Sequence, residues 1–129
     1  FGRFSKIFAL LAPYRKTLME EAQNKGYPLI RHLMLHYPDD PEVYGLSQQF
    51  LLGSEILVAP VVEEGAVARE VYFPAGKWVH IWTGEEYGQA GEGGAENVDA
   101  PIGQPPVFYK KDSTVGQSFA AGLDAQGLR

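Results

Sequence analysis

The chain contains no cysteine. Disulfides, zinc–thiolate sites and cysteine nucleophiles are thereby excluded, and a cytoplasmic location is expected. Basic residues are in the minority, with 11 Lys and Arg against 16 Asp and Glu and a formal net charge of −5. Nucleic-acid binding needs a basic face, so no nucleic-acid partner is expected. No apolar run approaches the roughly 18 residues of a membrane span. Phosphate-cradling loops are missing too: the Gly91–Gly94 stretch lacks the flanking strand and helix that such a loop requires. No Gly-x-Ser-x-Gly nucleophile elbow occurs, and there are neither internal repeats nor heptads.

What is present suits a globular domain rich in turns. The 129 residues are a one-domain length. With 45% hydrophobic and 12% aromatic residues the chain can bury a core, and 15 Gly with 9 Pro call for short elements. Residues 3–25 carry Phe4, Ile7, Phe8, Leu11, Tyr14, Leu18 and Ala22 at spacings of three and four, a helical pattern. Pro13 predicts a kink near Ala12 or a fresh helix start with Pro13 in the first turn. Lys25 and Gly26 predict its end: a cation, then a residue free to take positive φ.

Pro28–Tyr37 is almost continuously apolar and reads as a strand buried on both faces of a parallel sheet. Asp40-Pro41-Glu42 predicts a helix start, with Asp40 as N-cap, and the helix is expected to run over 41–52. Helix, buried strand and helix follow in the order of an α/β barrel. Beyond Gly53 the texture changes. Ile56–Val62, Arg69–Phe73, Lys77–Trp82, Glu96–Ala100 and Val107–Lys110 read as short strands. Pro74-Ala75-Gly76 forms the turn between the second and third of these, and residues 84–95 read as an exposed loop. The expected organisation is this α/β part over residues 1–53, followed by an antiparallel β-sandwich over 54–129. The Gly-rich tail from Gly116 to Arg129 is expected to fray.

Glycoside hydrolysis needs two carboxyl groups facing each other across a bond, about 5–5.5 Å apart for retention. Asp39 and Asp40 are adjacent in sequence and do not suit that geometry; Asp40 is better placed as a helix cap. His32 and His36 have zinc spacing, but the helical zinc motif wants a Glu where Leu33 stands, so no metal site is expected. Arg31 and His32 are the substrate-binding candidates, because polar residues near the C-terminal end of a barrel strand commonly belong to the site. The plainer account is a structural pair, with Arg31 bonded to a carboxylate such as Asp39 or one upstream; it is preferred. Trp78, His80 and Trp82 alternate on one strand and so share a face, which suits sugar stacking or, more simply, domain packing. No complete catalytic constellation lies within the chain.

Several linked motifs extend this reading. Arg31, Tyr37–Pro41, Gln49–Gly53, Leu57–Val61, Tyr72–Trp78 and Trp82–Glu85 occur in that order. Together they resemble glycoside hydrolase family 31, the retaining α-glucosidase family. Trp78-Val79-His80, with Ala100–Tyr109, is similar to its sulfoquinovosidase branch. The resemblance implies that residues 1–53 are the last part of a (β/α)8 TIM barrel, with Pro28–Leu35 as its final strand. It also implies that the nucleophile and acid/base, both Asp, lie upstream of Phe1. The parent is then a retaining α-glycosidase acting on a carbohydrate substrate held by that barrel, with no metal or organic cofactor. This segment is its C-terminal fragment, inactive by itself, or alternatively a non-catalytic β-sandwich module for packing or carbohydrate binding.

Overall fold

In the computed structural model, residues 6–7, 9–45, 49–59, 68–88, 93–99 and 106–127 are described. Helix α1 spans Ala12–Lys25 with Pro13 in its first turn. Residues 6–7 and 9–10 are also helical, but Leu11 breaks the run, so Pro13 opens a fresh helix. At the other end Gly26 adopts φ 76° and its N–H reaches Ala22 O at 3.1 Å. The strands are β1 (Ile30–Arg31), β2 (Phe50–Leu52), β3 (Ile56–Val58), β4 (Ala68–Phe73), β5 (Trp78–His80), β6 (Glu86–Tyr87), β7 (Gly94–Asp99) and β8 (Val107–Lys110). Helix α2, Thr114–Ala125, follows.

Two antiparallel sheets result. One has six strands in the order β1-β2-β3-β8-β5-β6, and the other pairs β4 with β7. Alternation along the strands of the large sheet sends side chains to two separate cores. Leu51, Leu57, Trp78 and Phe108 meet Val71, Phe73 and Val98 of the small sheet. Ile56, Val79 and Tyr109 point the other way, onto Tyr14 and Leu18 of α1 and Phe119, Ala120 and Leu123 of α2. The molecule is therefore a β-sandwich with helices covering its outer face. Leu57 and Phe108 are register partners and both 0% exposed; burying each contributes roughly 1.5–3 kcal/mol.

Several expectations need correction. The strand over 28–37 is only Ile30–Arg31; a 3₁₀ turn, Leu33–Leu35, follows. Its partner β2 runs antiparallel, with Ile30 opposite Leu52. The helix over 41–52 is a short 3₁₀ turn, Pro41–Gly45, and its expected second half contains β2. Strands β4 and β5, joined by Pro74-Ala75-Gly76, belong to different sheets, so this turn carries the chain from one layer to the other. The tail does not fray over its described length: Ser113 caps α2, its hydroxyl accepting from Gly116 N at 3.0 Å, and Phe119, Ala120 and Leu123 are buried. Its glycines serve contact, since a Cβ on Gly116 would lie 2.4 Å from Tyr109 Cβ. Barrel structure is not seen among the described residues. The large sheet instead runs on either side of Gly53, through β2 and β3.

Candidate functional site

Arg31 sits at the centre of a polar cluster between α1 and the sheet. It is 2% exposed. Its Nε donates to Pro28 O at 2.6 Å, Nη1 to His36 Nε2 at 2.9 Å and Nη2 to Glu21 Oε2 at 2.6 Å. The guanidinium also lies over the Tyr27 ring, 5.3 Å from its centroid. The hydrogen bond from Arg31 holds the Glu21 carboxyl below its ordinary pKa. The upstream carboxylate expected for Arg31 is thus Glu21, supplied by α1. His32 is half-buried beside this cluster in sequence and joins the strand to the 3₁₀ turn. That turn brings His36 back onto Arg31: His36 N bonds Leu33 O at 3.1 Å.

A cleft of about 590 Å³ opens on the other side of the turn, beside Tyr37, Asp39, Asp40, Glu42, Tyr72 and Ala75. Asp40 caps the Pro41–Gly45 turn, its Oδ1 accepting from Glu42 N at 3.0 Å, while Tyr72 Oη donates to Oδ2. Both carboxylate oxygens thus have structural partners, as the capping role predicts. Burial, reinforced by Asp40, raises the Tyr72 phenol above its ordinary pKa. Burial pushes Tyr37 up to about 12, with Glu55 adding to the effect.

Two buried polar groups escape sequence reasoning. The Gln49 side chain behaves as an extra strand residue: its Nε2 donates to Tyr72 O at 2.7 Å and its Oε1 accepts from Tyr72 N at 3.0 Å. The amide thereby ties the segment before β2 to the small sheet. Tyr14 Oη donates to Leu52 O at 2.9 Å and accepts from Glu55 N at 3.2 Å, pinning α1 to the β2–β3 turn. A polar residue inside an apolar motif, such as Gln49 before Phe50-Leu51-Leu52, was the available signal, since buried polar groups need partners.

The aromatic face does not form as alternation predicts. Trp78 belongs to the core between the sheets, and its Nε1 donates to Pro74 O at 3.1 Å. His80 packs on Phe108, with ring centroids 5.2 Å apart. The strand stops there, and the following turn sends Trp82 into the opposite core against the helices. All three are at most 9% exposed. They fill the interior and present no stacking surface.

The domain is therefore a two-core sandwich without a catalytic carboxyl pair among its described residues. Its sequence matches the model of the glycosyl hydrolase family 31 C-terminal domain over residues 26–115. The chain belongs to glycosyl hydrolase family 31. It is 46% identical to the sulfoquinovosidase of Escherichia coli (strain K12) over 121 residues, 94% of this chain and 17% of that protein. Identity to the sulfoquinovosidase of Agrobacterium fabrum (strain C58 / ATCC 33970) is 41%, over 92% of this chain and 18% of that protein. A solved family 31 sulfoquinovosidase from E. rectale, in complex with an aza-sugar inhibitor, superposes with a TM-score of 0.86 at 39% identity. That match covers 95% of this chain and 18% of the solved one. The family 31 chain described here spans less than a fifth of the length of these relatives, within their C-terminal domain.

Proposed function

We propose that this chain is the C-terminal part of a retaining α-glycosidase that hydrolyses α-sulfoquinovosides. The observation that carries the reading is the 46% identity to a sulfoquinovosidase across 94% of the chain. In this reading the sugar is bound, and the bond broken, by two carboxylates of an upstream barrel. Double displacement needs those two groups and water: one attacks the anomeric carbon while the other protonates the leaving oxygen. The second then takes a proton from the water that displaces the first and releases the sugar. No cofactor is required.

The sandwich then acts as a brace for that barrel. Helix α1, Ala12–Lys25, is its barrel-side helix, and the joint lies between Gly26 and Arg31. Arg31 serves the joint through Glu21, Pro28 and His36, and the sugar is contacted from elsewhere. The rival reading, a carbohydrate-binding sandwich, loses its platform because Trp78, His80 and Trp82 are buried.

The test is to express the full-length protein that contains this chain and assay aryl α-sulfoquinovoside beside aryl α-glucoside. The reading expects hydrolysis with retention, faster on the sulfoquinovoside, and no turnover by residues 1–129 alone. Inversion, or failure on every α-glycoside, overturns it. A clear preference for the glucoside overturns the substrate assignment while leaving the glycosidase.

A further inference from the structure

The Arg31–His36 contact has only one possible polarity. Arginine carries N–H donors and no acceptor, so Arg31 Nη1 donates across the 2.9 Å gap and His36 Nε2 accepts. The imidazole must therefore be neutral, with its proton on Nδ1. Protonation turns Nε2 into a donor as well. The hydrogen bond is then lost, and two cations stand 2.9 Å apart.

The guanidinium has no room to retreat. It is buried, and Pro28 O and the Glu21 carboxylate hold its other two nitrogens at 2.6 Å each. Tyr27 closes the cluster, lying under Arg31 and edge-on to the His36 ring at 6.4 Å. The charges that face His36 come from four places. Arg31 on β1 and Lys110 on β8 oppose its protonation, whereas Glu21 on α1 and Glu55 in the β2–β3 turn favour it. Burial, the largest influence, sides with the cations, and the pKa falls below the ordinary 6.5.

The strand that carries Arg31 is also, with β6 at the opposite edge, one of the two least paired strands of the large sheet. It lies at the edge of the large sheet and is paired at only two positions, Ile30 with Leu52 and Arg31 with Leu51. Few ladder bonds and one partner place such a strand at the low end of local stability.

We propose that Arg31 and His36 form a pH-sensitive latch, which closes the joint between α1 and the sandwich at neutral pH and releases it on acidification. The sign follows from the depressed pKa: the neutral imidazole's contribution is complete above 6.5 and is lost as pH falls through the folded value.

Hydrogen–deuterium exchange on the full-length protein tests this. Protection of the Tyr27–His36 peptide is compared between about pH 7.5 and about pH 5, after correction for the intrinsic pH dependence of exchange. The wild type should lose protection on acidification, while peptides from β3 and β8 keep theirs. His36→Gln and His36→Glu both supply an oxygen acceptor that does not become a cation, so each should hold protection constant. Undiminished wild-type protection at acid pH overturns the latch. So does an equal acid loss in either variant that folds, or equal opening of the β3 and β8 peptides.

Discussion

Replacing Gly53 with Ala measures how tightly α1 is bound to the sheet. Gly53 has φ 66°, and a Cβ there would lie 2.0 Å from Tyr14 Oη, 2.8 Å from Tyr14 Cζ and 2.6 Å from Leu18 Cδ2. Such contacts are not tolerated, so Tyr14 must move. Moving it stretches the bonds of its hydroxyl to Leu52 O and Glu55 N, each contributing about 0.5–1.5 kcal/mol. Left-handed backbone adds roughly 1–2 kcal/mol for any residue with a Cβ. The sum is about 2–5 kcal/mol. Gly26 supplies the control: its φ is 76°, and nothing lies within 4 Å of its added Cβ. Gly26→Ala should therefore cost only the conformational part, about 1–2 kcal/mol. Urea unfolding of both variants gives the difference, expected at about 1–3 kcal/mol. Adding Tyr14→Phe to Gly53→Ala removes the atom at 2.0 Å, so the double variant should cost less than the sum of the singles. If Gly53→Ala costs no more than Gly26→Ala, or if the double variant is strictly additive, the pin attributed to Tyr14 does not exist.

The fate of α2 can be read from a sign. In a loosely held helix Gly116→Ala should stabilise by about 1 kcal/mol through helix propensity. Here the new Cβ would meet the Tyr109 ring and Cβ at 2.4–2.5 Å, so a loss of about 1–3 kcal/mol is expected, and a rise in thermal midpoint would refute the packing. The phenols predict alkaline behaviour. Burial, reinforced by Glu55 for Tyr37 and by Glu85 for Tyr87, raises both to about 12 from the ordinary 10.0. Their contribution to stability is complete below pH 10 and is lost as pH rises towards 12. Phenolate absorbance should show at least two tyrosines ionising late and together with unfolding, and ordinary titration of every tyrosine in the folded protein would refute it.

Features written in a few adjacent residues were legible in the sequence. Pro13 opens α1, Gly26 closes it in left-handed backbone, and Asp40 caps the turn that begins at Pro41. The antiparallel strands after Gly53 follow their β-rich segments, except that β6, Glu86–Tyr87, and the start of β7 fall within the expected 84–95 loop. Arg31 could be recognised as needing a carboxylate, but Glu21 lies ten residues away across a chain reversal, beyond the reach of local pattern. The apolar run Pro28–Tyr37 misled because two-sided burial was taken to mean a strand. In the fold it becomes two strand residues and a 3₁₀ turn, with Leu33 0% and Leu35 41% exposed. Helix α2 was hidden by its glycines. Its signal was present nonetheless: Ser113 as a cap, then Val115, Phe119 and Leu123 four residues apart. Gly116 and Gly122 leave room for Tyr109 and Leu10, so low side-chain content marks close approach there and not disorder.

The same contacts argue where the sandwich begins. A boundary at Gly53 would separate β2 from β3, which share three register pairs, Phe50 with Val58, Leu51 with Leu57 and Leu52 with Ile56. It would also strip Leu33, Val43 and Leu51 from the core between the sheets, where each is 0% exposed. Removing one such side chain typically costs 2–5 kcal/mol, so the loss of three leaves that core unstable. A boundary at Gly26 leaves every described strand pair intact. It separates α1, attached through the Tyr14 hydroxyl, the Glu21 carboxylate on Arg31, and Tyr14 and Leu18 in the outer core, with Ile7, Leu10 and Leu11 packed on the same core. The first two are polar contacts, which suits a joint between domains better than the interior of one. On that argument the sandwich takes in the segment from Gly26 onward, and it holds the preceding helix through Arg31 on Glu21 and through Leu52 O and Glu55 N on Tyr14.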